Sequence, residues 1–510
     1  MTASPGIVRR ISRLILSAVI ALLTALSTGP VQDAAAADRW EFSVQFSSSA
    51  RKEPFTGRLY LIFSQEHEQP RTGPSWFVPE QFLSVEVNDW KPDTPLAISS
   101  SQTKGMLAYP VDLEEMNLAG FRAQAVARFN PWERTIGVGP GNGYSNVIQI
   151  SQTGQQSSLT IDTLVPSKTF SETRWTKLLS VRSELLSKFY GRDVFQNASV
   201  ILPQSYYDEP DRRYPTIFTV PGFGGDHFRN VLDEPIAEDN PGGVEFIRVM
   251  LDPSCPLGHH VFADSANNGP RGQCLVDEFI PAFEQKFRAI ASPQARFVTG
   301  HSSGGWSSLW IQVAYPDHFN GTWSTAPDPV DFRDFQRINL YQSNENMYVD
   351  ADDKPRPLAR INGVVRLWYQ GFAEMEWVLG PGGQLHSFEA VFSPRGDDGK
   401  PLLIWDRKTG VVDTAVTKHW EKYDIRLILE RNWAELEPRL KGKLHVIMGD
   451  QDTFYLEGAT VLLKKSLEKL GSDAVVEIVP GRDHFNLLEK PLMLRIRREM
   501  AERFLATHEN

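Results

Sequence analysis

The chain has 510 residues, more than a single ordinary hydrophobic core organises, so two or more domains are expected. Hydrophobic residues make up 41% and charged residues 23%, the balance of a soluble globular protein. A formal net charge of −10 argues against nucleic acid or an anionic membrane surface as the main partner.

Residues 1–37 read as a secretory signal. Arg9, Arg10 and Arg13 precede an apolar run from Leu14 to Leu26, and small residues follow as Ala34–Ala37. The order is basic, apolar, then small. The apolar run is 13 residues, short of the roughly 20 that span a bilayer. The expectation is a secreted or periplasmic protein, with no membrane attachment once the signal is cut near Ala37.

From Asp38 to Pro166 the pattern is β-rich. "RWEFSVQFS" and "GRLYLIFSQ" alternate as half-buried strands do, and "FLSVEV", "FRAQAVARF" and "NVIQISQ" continue between turn residues. This predicts a sandwich-like domain over 38–166. "GVGPGNGYS" (Gly137–Ser145) lacks the lysine and the following helix of a phosphate loop, and reads as a long turn. Residues 167–196 form a polar linker, partly helical around Lys177–Phe189.

From Asn197 the rhythm changes to strand, loop, helix. "YPTIFTVPGFGG", "EFIRVMLD", "ARFVTG", "KLHVIMGD" and "VVEIVPG" are buried-strand candidates, with helical spacing between several of them. Such alternation predicts a mostly parallel sheet with helices on both faces, and ligands bind at the carboxyl ends of its strands.

Two cysteines occur, Cys255 and Cys274, and an even pair in an exported protein predicts a disulfide bracing the loop between them. Neighbouring His259 and His260 point opposite ways on a strand, and no zinc-type spacing is present. No metal or cofactor is expected.

The chemistry concentrates at Gly300-His301-Ser302-Ser303-Gly304, a G-x-S-x-G motif with a strand before it and a helical pattern after it. The glycines allow a tight turn that lifts the Ser302 hydroxyl above the sheet. A helix N-terminus there favours developing negative charge.

Together, "YPTIFTVPGFGG", "GHSSGGWSS", "GDQDTF" and "GRDHF" resemble the esterase family of α/β-hydrolases. That family includes feruloyl and acetylxylan esterases, S-formylglutathione hydrolases, enterochelin esterases and mycolyltransferases. The resemblance runs from about Ala198 to the C-terminus and implies an α/β-hydrolase fold behind the N-terminal β domain. It also implies the order nucleophile, acid, histidine, each just after a strand. Ser302 is then the nucleophile and His484 the base. Asp452 is the favoured acid, at the end of Gly449-Asp450-Gln451-Asp452, with Asp450 the alternative. The backbone N–H of Phe223, or failing that Gly224, joins that of Ser303 as the oxyanion hole. Pro221 stands where many relatives carry histidine, which leaves the bonding of that loop open.

Two stretches are pocket candidates. The loop between the cysteines offers Asp264 and Asn268. An insertion at about 332–425 separates nucleophile from acid, is rich in aromatics, and reads as a lid with Trp368, Tyr369, Trp377 and His386 as candidate contacts. The whole points to a secreted serine ester hydrolase working through an acyl-enzyme, on carbohydrate-linked or aryl esters. An acyltransferase or serine peptidase of the same fold, or an inert polysaccharide-binding protein, are the competing readings.

Overall fold

Two large sheets organise the chain, and a computed structural model describes them over residues 40–508, apart from 103, 230 and 237–239. The expected signal at 1–37 lies outside the described residues. No helix among those described is long and apolar enough to cross a membrane.

The N-terminal β region is one continuous nine-stranded sheet, running from Leu96–Ser99 at one edge to Met106–Tyr109 at the other. Its strand Glu41–Phe46 alternates as its sequence implies, with Phe42, Val44 and Phe46 buried. Phe55–Ser64 departs from that expectation and is buried on both faces. Leu59, Leu61 and Phe63 enter the sheet's own core, while Tyr60 and Ile62 join a core shared with the C-terminal half. The unbroken apolar run Leu59–Phe63 is the sequence cause, since a strand covered on both faces does not alternate.

That second face is held by hydrogen bonds as well as by packing. Helix Tyr369–Leu379, in the insertion, ends against it. The last carbonyls of a helix have no intrahelical donor. Here Arg58 Nη1 donates to the carbonyls of Trp377 and Val378, each at 3.1 Å. Ser84 Oγ donates to Val378 at 2.8 Å, and the Tyr60 hydroxyl to Leu379 at 2.6 Å. Side chains of one sheet thus cap a helix that begins 285 or more positions later.

The helical part of the linker is shorter than the stretch around Lys177–Phe189. Thr176–Arg182 is a strand pairing antiparallel with Phe195–Ile201, and the helix occupies only Glu184–Tyr190. The Ser183 hydroxyl accepts from Leu186 N at its start and Gly191, at φ 64°, ends it. The linker therefore belongs to the second sheet.

That sheet runs Thr176–Arg182, Phe195–Ile201, Ile247–Leu251, Thr216–Val220, Arg296–His301, Gly321–Thr325, Leu444–Gly449, Val475–Val479. The first two pairings are antiparallel and the remaining five parallel. All the motifs singled out above follow parallel strands, so they gather at one carboxyl edge. The insertion contributes three helices, Tyr369–Leu379, Gln384–Phe392 and Thr414–Trp420, and a hairpin turning at Asn362-Gly363, a turn signal that the sequence reading passed over.

The expected disulfide is also corrected: Cys255 and Cys274 are free, buried thiols. Cys255 Sγ lies 3.5 Å from Asn268 Oδ1, whereas Cys274 sits beside Ser183 and Glu278. Burial pushes the Cys274 thiol up to about 12. The loop between them needs no covalent tie because buried polar bonds order it. Asp264 and Asn268 make several of these.

Candidate active site

Ser302 ends the strand Arg296–His301 and immediately precedes the helix Ser303–Ala314. Its φ of 61° is unusual for a non-glycine residue, a strain on the order of 1–3 kcal/mol that the surroundings must hold. They do so by contact. A Cβ at Gly300 would stand 2.1 Å from the Gly304 carbonyl oxygen, and one at Gly304 would stand 1.9 Å from that of Val220. Ser302 N donates to the Thr325 carbonyl at 3.0 Å, fixing the turn to the next strand.

Asp452 and His484 follow the last two strands. His484 Nδ1 donates to Asp452 Oδ2 at 2.7 Å, and both residues are buried. The other carboxylate oxygen of Asp452 accepts from Phe454 N at 2.8 Å. Burial alone would depress the imidazolium, but the carboxylate charge and its hydrogen bond outweigh it, and the pKa of His484 is raised above 6.5. Asp450 is placed elsewhere: its Oδ1 accepts from Gly481 N at 2.7 Å, clipping the acid loop to the histidine loop.

The loop Pro221–Gly225 passes directly over Ser302. A Cβ at Gly222 would stand 3.2 Å from Ser302 Cβ. Phe223 follows, and Gly225 N closes the turn on the Gly222 carbonyl at 2.9 Å. The question left by Pro221 is resolved through His259, whose Nε2 donates to the Pro221 carbonyl at 2.9 Å while Nδ1 accepts from Val261 N. Burial lowers His259 to about 4, so it holds the loop as a neutral ring. Ser303 opens its helix, where N–H groups have no intrahelical acceptor.

Two residues at this edge escaped the sequence reading. Asp328 follows strand Gly321–Thr325, is 6% exposed and faces the serine turn. Gln384 Nε2 lies 3.4 Å from its Oδ2 and 3.2 Å from Ser303 Oγ. Burial raises Asp328 to about 6. The clue was "TWSTAPDP", a buried strand ending in an acid at the same topological edge. His301 Nε2 donates to the His484 carbonyl at 3.0 Å, and burial lowers that ring to about 4.

These residues open on a cavity of about 650 Å³ lined by Ser302, His484, Phe223 and Asp328. Its walls are mainly apolar and come from three regions: Phe454 and Leu488 from the hydrolase half, Phe372, Leu385 and Phe388 from the insertion, and Trp76 and Phe77 from the N-terminal region. The insertion is held in place by Glu376, a buried carboxylate accepting from the N–H groups of Gln384, Leu385 and His386 at 2.5, 3.0 and 3.2 Å. It caps the helix that carries Gln384 and Phe388, with the charge that a helix N-terminus favours.

Other pocket candidates lie elsewhere. Asp264 Oδ1 accepts from Gly272 N and Gln273 N at 2.7 and 3.1 Å, and its Oδ2 accepts from the Tyr315 hydroxyl at 2.9 Å. Asn268 is fully buried, and its carbonyl accepts from Arg271 Nε at 3.1 Å. Both are consumed in ordering their own loop. Trp368 and Trp377 are 48% and 42% exposed and lie outside the Ser302 cavity. Trp377 follows Phe372 by five helical positions, roughly 140° around the axis, so when Phe372 faces the cavity Trp377 cannot. It borders a separate cleft with Tyr109 and Trp405. Tyr369 is buried and donates to Gln336 Oε1 at 3.2 Å, and His386 Nδ1 lies 3.4 Å from Glu376.

A serine on a strand–turn–helix corner, with an acid and a histidine on later loops of the same parallel sheet edge, defines an α/β-hydrolase. Residues 194–456 match the family described as "Putative esterase", and the chain belongs to that family. Similar solved structures include a ferulic acid esterase, 13% identical over 65% of this chain and 99% of its own, with a TM-score of 0.41. An S-formylglutathione hydrolase from Agrobacterium tumefaciens is 16% identical over 66% and 98%, at 0.39. The fluorophosphonate-binding serine hydrolase F of Staphylococcus aureus is 15% identical over 64% and 98%, at 0.38. No curated protein matches the sequence.

The packing at the serine turn makes Gly304→Ala a direct probe. It is expected to lower stability by about 2–3 kcal/mol and to cut labelling by a fluorophosphonate. Thermal unfolding and labelling at wild-type levels would show that the turn tolerates a Cβ.

Proposed function

We propose that the protein is an exported serine carboxylic-ester hydrolase. Ser302 attacks the ester carbonyl as His484 takes its proton at Nε2, and Asp452 holds the imidazole through Nδ1. The developing oxyanion sits between the N–H groups of Phe223 and Ser303. The His484 proton passes to the departing alcohol, and water, activated by the same ring, releases the acid. The observation carrying this reading is the convergence of three strand ends. Ser302 and His484 share one cavity, and the His484 ring is fixed by Asp452 at 2.7 Å. Ser302→Ala is expected to abolish hydrolysis of p-nitrophenyl acetate with folding unchanged. Retained turnover in a clean preparation removes Ser302 from the mechanism.

The raised His484 sets the direction of the pH profile. The base must be neutral, so activity falls as pH drops through its folded-state pKa, which lies above 6.5. Asp452→Asn removes the charge that raises it. We expect kcat to fall by about 10³–10⁴ and the remaining acid limb to move to lower pH. A limb that stays in place assigns the acid elsewhere.

Export is supported by the basic, apolar and small order of residues 9–37. The exported protein is expected to begin close to Asp38 on N-terminal sequencing, and a mature protein retaining Met1–Ala37 would contradict this.

A further inference from the structure

One wall of the cavity at Ser302 comes from outside the hydrolase sheet. Trp76 and Phe77 lie between Pro70–Thr72 and the strand Phe82–Trp90 of the N-terminal sheet, yet neither belongs to that sheet's own core. Both pack against the core shared with the insertion. The Trp76 ring stacks on Phe223, with centroids 5.7 Å apart and planes at 29°. It meets Phe372 edge-on at 5.1 Å and 87°. Phe454 lies 6.3 Å away at 84°, and Phe77 is 6.5 Å from the same ring.

The segment is not a loose flap. Arg71 N donates to Gln124 Oε1 at 3.0 Å, and its guanidinium donates to the Gly137 carbonyl at 2.6 Å while lying 4.1 Å over the Tyr144 ring. At the other end, Phe63 N donates to the Gln81 carbonyl at 3.0 Å. The N-terminal sheet therefore presents two aromatic rings in a fixed place against the candidate oxyanion loop. Two half-buried rings that leave their own core and border a cavity of about 650 Å³ are placed to contact whatever fills it.

We infer that Trp76 and Phe77 are specificity-determining residues that select esters bearing a bulky apolar group, on the acyl or the alcohol side. This rests on the reading of Ser302 as the nucleophile. Phe372 and Phe388 form the facing part of the wall, and a phenyl-sized group lying among these rings loses apolar surface to them rather than to water.

The test compares kcat/KM in two series. One pairs p-nitrophenyl 3-phenylpropanoate with p-nitrophenyl acetate, the other 2-phenylethyl acetate with ethyl acetate. Trp76→Ala is expected to lower the preference for the phenyl-bearing ester in one series by roughly tenfold or more, and the series affected shows which side of the ester the wall reads. Phe77→Ala lowers it in the same series, and Trp76→Phe restores most of it. Unchanged preferences in both series, in variants with wild-type thermal unfolding, overturn the inference. Calorimetric binding of 3-phenylpropanoate and 2-phenylethanol to Ser302→Ala protein separates this from the hydrolase reading. If the wild type hydrolyses none of the esters but binding of either probe weakens about tenfold in Trp76→Ala, the wall stands and the hydrolase reading falls. Absent or Trp76-independent binding overturns the wall.

Discussion

Three segments cross at the carboxyl edge of the second sheet with no side chain between them. The carbonyl of Val220 occupies the space a Cβ of Gly304 would take, and the carbonyl of Gly304 occupies that of Gly300. This contact lets the helix begin directly under the strand end. It leaves Ser302 in a positive-φ conformation that a looser turn would relax, and it brings Gly222 against the serine Cβ. The loop over the serine and the turn beneath it are therefore one packing unit. His259 reinforces that unit from a third segment, by a neutral ring bonded to the Pro221 carbonyl.

Much of this was legible in the sequence because it is local. A buried strand followed by glycines, an acid or a histidine needs no distant partner to be recognised, so Ser302, Asp452 and His484 could be placed at strand ends from their own neighbourhoods. The failures share the opposite character. The pair Cys255 and Cys274 reads as a cross-link bracing its loop, but Asp264 and Asn268 supply bonds that order the loop without one. Trp368 and Trp377 read as pocket contacts only because the insertion is aromatic-rich. Composition does not say which side of a helix faces a cavity, and Phe372 holds that side. Trp76 was beyond reach, since its neighbours are Phe223, Phe372 and Phe454, 147 or more positions away.

The insertion is tied where its first two helices meet. The C-terminal carbonyls of Tyr369–Leu379 are capped by Arg58, Tyr60 and Ser84, and Glu376 within that helix caps the next one in turn. A line of hydrogen bonds thus runs from the N-terminal sheet through Glu376 to Gln384, and so to Ser303 and Asp328 beside Ser302. The β region is built into the site rather than appended to it.

The strand Phe55–Ser64 carries a consequence for how the molecule comes into being. Tyr60 and Ile62 belong to a core made mostly of residues about 200 or more positions further along, which leave the ribosome long after the strand itself. Until then the nascent sheet has one face in contact with its own core and one apolar face in water. Such a surface invites pairing with other chains while it waits. A border drawn near residue 166 separates two sheets by topology, but cutting there would strand Tyr60, Ile62, Phe82 and Val126 on an open surface. The two halves are neighbours in sequence order and a single object in assembly.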